Sequence, residues 1–138
     1  FRLYQAQVIA NARAFAAELV RRGLKVVSGG TDCHMFTVDL RPLKMTGEQA
    51  KQLLESACIT VNKNTIPYDP QPPAVTSGIR IGTPAITARG MREADVVRIA
   101  EWIVQLLTSG GEKRTVTAVR RKVAQLLARY PLYPELRR

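Results

Sequence analysis

The chain of 138 residues has the length of one ordinary domain, and its 46% hydrophobic content is enough to build a core. The formal charge of +10 raises nucleic acid or another anionic surface as a partner. Cys33 and Cys58 form no C-x-x-C pair and His34 is the only histidine, which excludes the usual zinc spacings and a disulfide framework and leads us to expect no metal and a reduced, cytoplasmic setting. No apolar run approaches the roughly 18 residues of a membrane span.

In chain order, Val8, Ala12, Phe15 and Leu19 lie on one stripe, which predicts a helix from about Arg2 to Arg22 that stops at Gly23. No Ser, Thr, Asp or Asn cap precedes it, so we expect a helix entered part-way, in a fragment or processed product. Leu24–Ser28 reads as a short strand ended by Gly29–Gly30, and Met35–Leu40 alternates, with Phe36, Val38 and Leu40 on one face and Thr37 and Asp39 on the other. Thr46-Gly-Glu-Gln49 is a capping box opening a helix whose inner face is Ala50, Leu53, Leu54 and Ala57. Ile59–Val61 is predicted as a further strand, followed by a polar, proline-rich loop from Asn62 to Ser77 and the strand Gly78–Gly82. Helices are predicted near Arg92–Leu107 and Glu112–Arg129.

Strands that come in pairs between helices predict a two-layer α/β (α+β-like) domain, a small, mostly antiparallel sheet covered by helices. They do not fit a doubly wound nucleotide-binding sheet. We expect a single domain over 1–138, with 1–22 the entering helix and 112–138 a basic helix and tail. Residues 113–138 carry eight Lys or Arg against Glu135. Val116, Val119, Val123 and Leu126 or Leu127 recur at core spacing there, so the charges fall on a solvated face or on one that meets another part of the protein. Nucleic acid is the lesser alternative, because no aromatic stacking motif or metal finger accompanies the charge.

Loops beyond about 12–15 residues are uncommon in compact domains unless they carry function, which directs attention to Asn62–Arg80. Arg80 stands in Ser-Gly-Ile-Arg-Ile-Gly, with Ile79 and Ile81 expected on the opposite face and glycines leaving space around it. A guanidinium so placed can grip a carboxylate through two parallel hydrogen bonds; a surface arginine on an edge strand is the alternative. Asn62-Lys63-Asn64 offers amides able to read a flat heterocycle, or simply a turn. Nothing around Lys63 argues for the desolvation a Schiff-base lysine needs. Ser28-Gly-Gly-Thr31 leads to a strand, so a tight turn is preferred to a phosphate cradle. His34 lacks a second histidine or a nucleophile beside it. By its own residues the chain is a binding half-site.

These residues resemble the serine hydroxymethyltransferase family. The resemblance runs through Tyr4-Gln-Ala-Gln-Val8, Val26-Val-Ser-Gly-Gly-Thr-Asp32, His34, Val38-Asp-Leu40 and Thr46-Gly47. It continues through Ile59-Thr-Val-Asn-Lys-Asn-Thr-Ile-Pro67, Asp69-Pro70, Val75-Thr-Ser-Gly-Ile-Arg-Ile-Gly-Thr-Pro-Ala85, Arg89-Gly90 and Ala128-Arg-Tyr-Pro131. It implies the small C-terminal domain of a fold-type-I pyridoxal-phosphate enzyme that interconverts serine and glycine and passes the one-carbon unit to tetrahydrofolate. By this likeness Arg80 binds the substrate α-carboxylate, and Asn64 and Pro73 contact folate. The family's Schiff-base lysine follows a histidine in a segment upstream, and none of the six lysines here follows one. The cofactor-bearing N-terminal part is therefore expected outside this chain, which would be inactive alone, within a homodimer or homotetramer.

Two departures stand out: Pro72-Pro73-Ala74 where the family has Ser-Pro-Phe, and Cys33 where it has Asn. Loss of the aromatic predicts weaker folate contact. The alternatives are a non-catalytic binding or regulatory remnant of the family, a related transaminase domain, and a basic nucleic-acid binder.

Overall fold

A computed structural model describes residues 1–133. Helix α1 (Arg2–Arg21) ends as predicted: Gly23 turns the chain at φ 95°, and Leu24 N–H donates back to the Leu19 carbonyl at 3.0 Å. Strand β1 (Lys25–Val26) is shorter than expected. Ser28 and Gly29 both adopt positive φ, 65° and 72°, a conformation incompatible with a strand, and Val27–Gly29 coils into a 3-10 turn. Strand β2 (Met35–Asp39) follows, and then α2 (Gly47–Ser56), whose Thr46 and Gln49 form the predicted capping box.

The strand predicted at Ile59–Val61 is displaced. Cys58 leaves α2 with φ 64°, and Ile59 N–H bonds to the Leu54 carbonyl. Val61 enters the core, so strand β3 is instead the polar Asn62–Asn64, on the sheet edge. Strand β4 (Gly78–Gly82) is as expected. A short helix α3 (Pro84–Ala88), which the sequence did not reveal, precedes α4 (Glu93–Thr108) and α5 (Lys113–Arg129).

The sheet runs β1-β2-β4-β3 with every neighbouring pair antiparallel, so β4 is central between β2 and β3. Phe36, Val38, Ile79 and Ile81 make its apolar face, buried against Phe15 and Leu19 of α1 and Ile103 and Leu106 of α4. Phe15 and Phe36 meet with ring centroids 5.6 Å apart, and α5 closes the core with Val119, Val123 and Leu126. The helices thus cover one face, as a two-layer α/β domain requires. Asp39 shares the Thr37 face, opposite the apolar one, as the alternation predicts. It is buried, with its charge met by Arg41 at 2.9 Å and Lys25 at 3.4 Å. No helix among the described residues is long and apolar enough to cross a membrane.

Candidate functional site on the open sheet face

Residues opposite one another in an antiparallel ladder share a face. Thr37, Arg80 and Asn62 therefore stand abreast on β2, β4 and β3, on the side away from the apolar core. Asn64 is one step along, opposite Gly78, and its amide reaches the Thr37 hydroxyl at 3.4 Å. Arg80 is half-buried, and among the described residues it has no ion-pair partner and makes no side-chain hydrogen bond. Water hydrates a half-buried guanidinium only partly, so a carboxylate arriving there gains a strong partner. A concavity of about 510 Å³ joins Arg80 and Asn62 to His34, Met35 and Pro84.

The two glycines around Arg80 differ from the simple expectation of free space. Gly82 is open, with 3.7 Å to the nearest atom a β-carbon would meet. Gly78 is not: a β-carbon there would lie 2.8 Å from both Ile66 Cγ2 and the Asn64 carbonyl oxygen. Since Gly78 and Arg80 point the same way along β4, Ile66 crosses onto Arg80's face and carries the start of the loop over it.

That loop, now 65–77, is held by Asp69. Its carboxylate accepts from Ile66 N–H (3.2 Å), Gln71 N–H (2.9 Å), Ser77 N–H (2.8 Å) and the Ser77 hydroxyl (2.7 Å). Partial desolvation pushes its pKa up, but the donors from Gln71, Ser77 and Ile66 prevail and bring it down to about 2. The far end of the loop caps α2. The carbonyls of Thr76 and Val75 accept from Gly47 and Glu48 N–H, each at 3.0 Å, satisfying two orphan donors of the first turn. Lys63 ties β3 to the same region through Glu48 at 2.7 Å and the Ala74 carbonyl. It is thus an ion-paired strut between β3 and the start of α2.

Of the site residues read from sequence, Arg80 and Asn64 come together on one face. Pro73 is exposed in the Pro72–Thr76 turn, and no hydrogen bond joins that turn to Asn64. Cys33 and His34 are exposed just ahead of β2, and the Cys33 thiol donates to the Met35 carbonyl at 3.2 Å. On α5 the cations Lys113, Arg114, Arg120, Arg121, Lys122 and Arg129 are exposed opposite its buried valines, as the periodicity predicts. The tail's Glu135, Arg137 and Arg138 lie outside the described residues.

Sequence reasoning missed two supports. Asp69 is one, although an Asp directly before Pro70 and two after Pro67 is a turn signal. The other is buried Asn11, which donates to the Thr87 hydroxyl at 2.9 Å and the Met91 carbonyl at 3.0 Å. With Thr83 bonded to the Val8 carbonyl at 2.8 Å, Asn11 locks α1 to the segment leaving β4. The sequence carries no local sign of its partners, which lie 76 and 80 residues away.

Fold and site together define a small two-layer α/β domain: one face is its core, and the other presents a guanidinium flanked by amides. The model of the serine hydroxymethyltransferase family matches residues 1–103. The chain is 53% identical to a serine hydroxymethyltransferase of Halorhodospira halophila and 56% identical to serine hydroxymethyltransferase 1 of Pseudomonas fluorescens; each match covers 96% of this chain and 32% of the relative. It is 49% identical to a serine hydroxymethyltransferase of a Synechococcus strain, over 99% of this chain and 34% of that relative. The chain belongs to the serine hydroxymethyltransferase family, and it spans about a third of the length of the curated relatives it matches.

Proposed function

We propose that this chain is the substrate-positioning part of a pyridoxal-phosphate enzyme that interconverts serine and glycine and transfers the one-carbon unit to tetrahydrofolate. The observation that carries this reading is Arg80: a half-buried guanidinium without a carboxylate partner among the described residues, set between Thr37 and Asn62 on the open sheet face. Arg80 grips the α-carboxylate of serine or glycine in a two-pronged clamp. Asn64, beside it, reads the edge of the folate ring, and Pro73 supplies apolar contact. The residues of this chain fit these contacts, and none of its six lysines follows a histidine as the family's cofactor-bearing lysine does. Pyridoxal phosphate, which supplies the electron sink, is held by a domain beyond this chain, in a homodimer or homotetramer of the cytoplasm. Two free, exposed cysteines suit that reduced setting.

Arg80→Ala in the full-length protein tests the assignment. Loss of a charge-assisted pair of hydrogen bonds is worth about 3–4 kcal/mol, so kcat/KM for serine should fall roughly 100- to 1,000-fold. Arg80→Lys, which keeps the charge without the fork, should recover only part of it. An unchanged kcat/KM would remove Arg80 from the site. A full-length protein without serine cleavage would favour the non-catalytic reading.

A further inference from the structure

The helical layer carries a charged hollow of its own, apart from the concavity of Arg80. Arg98 of α4 and Lys122 and Arg129 of α5 line a single hollow of about 400 Å³, together with Trp102, Gln125 and Glu101. Helical spacing accounts for the convergence. Lys122, Gln125 and Arg129 fall at i, i+3 and i+7 on one face of α5, and Arg98 and Trp102 at i and i+4 on α4. Cations from two helices thereby share one space.

Among the described residues none of these cations has an acidic partner. The reason lies in where the acids go. Helix α5 contains no Asp or Glu from Lys113 to Arg129. The acids of α4 are drawn elsewhere: Glu93 accepts from the Gln7 amide at 3.0 Å, and Asp95 from the Tyr130 hydroxyl at 2.8 Å. Glu101 borders the hollow but faces Arg22 of α1 at 3.9 Å. Arg129 is also steadied, with its guanidinium 5.7 Å from the centroid of the Tyr130 ring that Asp95 anchors to α4. Trp102 is only 7% exposed, so the wall behind the cations is largely apolar. Walls of low dielectric concentrate the field of like charges in a cleft. A merely solvated face accounts for cations outside the hollow, such as Lys113 and Arg121, but not for Arg98 joining Lys122 and Arg129 from another helix.

We propose that this hollow binds an oligophosphate, a pyrophosphate or triphosphate group, free or carried by a nucleotide. A single carboxylate would leave most of the charge unmet. Linked phosphates bring several charges and enough oxygens to engage two guanidinium forks and an ammonium together. The site stands independently of the carboxylate and folate readings of the sheet face.

Isothermal titration calorimetry of the full-length protein tests it, with pyridoxal phosphate added to saturation so that a cofactor-phosphate site is already filled. The probes are tripolyphosphate, ATP, orthophosphate and citrate at about 0.15 M salt. Tripolyphosphate is expected to bind with a Kd below about 1 mM, and roughly fivefold or more tighter than orthophosphate or citrate. Arg98→Gln combined with Lys122→Gln should raise that Kd about tenfold or more, while Arg121→Gln should change it less than about twofold. Arg121 is exposed on α5 outside the hollow, so its loss controls for charge alone; Arg98 and Lys122 are exposed too, so the core stays intact. Tighter binding of ATP than of tripolyphosphate upholds the site and assigns the group to a nucleotide; equal binding upholds it for the free anion. Absence of binding at millimolar tripolyphosphate overturns the proposal, as does citrate binding equally well. An equal loss in Arg121→Gln overturns it too, and assigns the binding to diffuse charge.

Discussion

Asp69→Ala is the perturbation that most directly tests how the loop is held. The carboxylate is the shared acceptor for three backbone N–H groups and one hydroxyl. Ile66 and Ser77 are buried, at 5% and 3% exposure, so their N–H groups lose their partner where water enters poorly. Each such orphan in a part-buried bond costs about 1–2 kcal/mol, whereas the exposed Gln71 N–H rehydrates, so the total loss is about 2–4 kcal/mol. In urea the unfolding midpoint should drop by roughly 1–2 M at a slope of about 2 kcal/mol per M. The pH dependence supplies a second constraint. Asp69 has a folded pKa of about 2, below its ordinary 3.8, so its ionic contribution is complete above that ordinary value and is lost as pH falls through the folded pKa. Discounted for the partly exposed side chain, that contribution is on the order of 1–2 kcal/mol. The gap between wild type and Asp69→Ala should therefore narrow by this amount between pH values of about 5 and 2. A variant within about 0.5 kcal/mol of wild type at neutral pH, or a gap that does not change with acid, would refute the clamp.

Two further substitutions probe the frame around the loop. Gly47→Ala would normally favour a helix, but here the added methyl would run into Thr76 Oγ1 and the Gly78 carbonyl; unfolding in urea should show a loss of at least about 2 kcal/mol instead of a gain. Thr46→Ala removes the hydroxyl that accepts from Gln49 N–H at 3.2 Å, and the same assay should show about 1 kcal/mol lost, with Thr46→Ser near wild type.

How much the sequence disclosed depended on the range of the interaction. The capping box at Thr46, the stop at Gly23 and the amphipathic α5 are written within a few neighbouring residues, and each stands where expected. The alternation through β2 and β4 likewise placed Arg80 opposite the core face. What failed was set by distant partners. A β-branched triplet such as Ile59-Thr-Val61 looks more strand-like than Asn62–Asn64. Pairing nonetheless went to the polar triplet, because the end of α2 consumes Ile59 N–H and the core takes Val61. Gly78 looked like room for Arg80, yet it serves the close passage of Ile66.

The arrangement of these supports explains why a binding face can be left open on so small a domain. β4 is central and hydrogen-bonded on both sides, so the backbone beneath Arg80 has little freedom. Its entry is pinned by Ser77 to Asp69, and its exit by Thr83 to α1. The two loop residues with strained φ, Tyr68 and Thr76, flank this entry and not the helical layer, and Thr76 is further locked by its hydroxyl to the Gly78 carbonyl at 2.9 Å. A site ordered in advance spends less of its interaction energy on immobilising side chains and loops when the ligand arrives. The fold's bonds carry that ordering on the core side, leaving the guanidinium of Arg80 and the amides of Asn62 and Asn64 to face whatever meets the sheet.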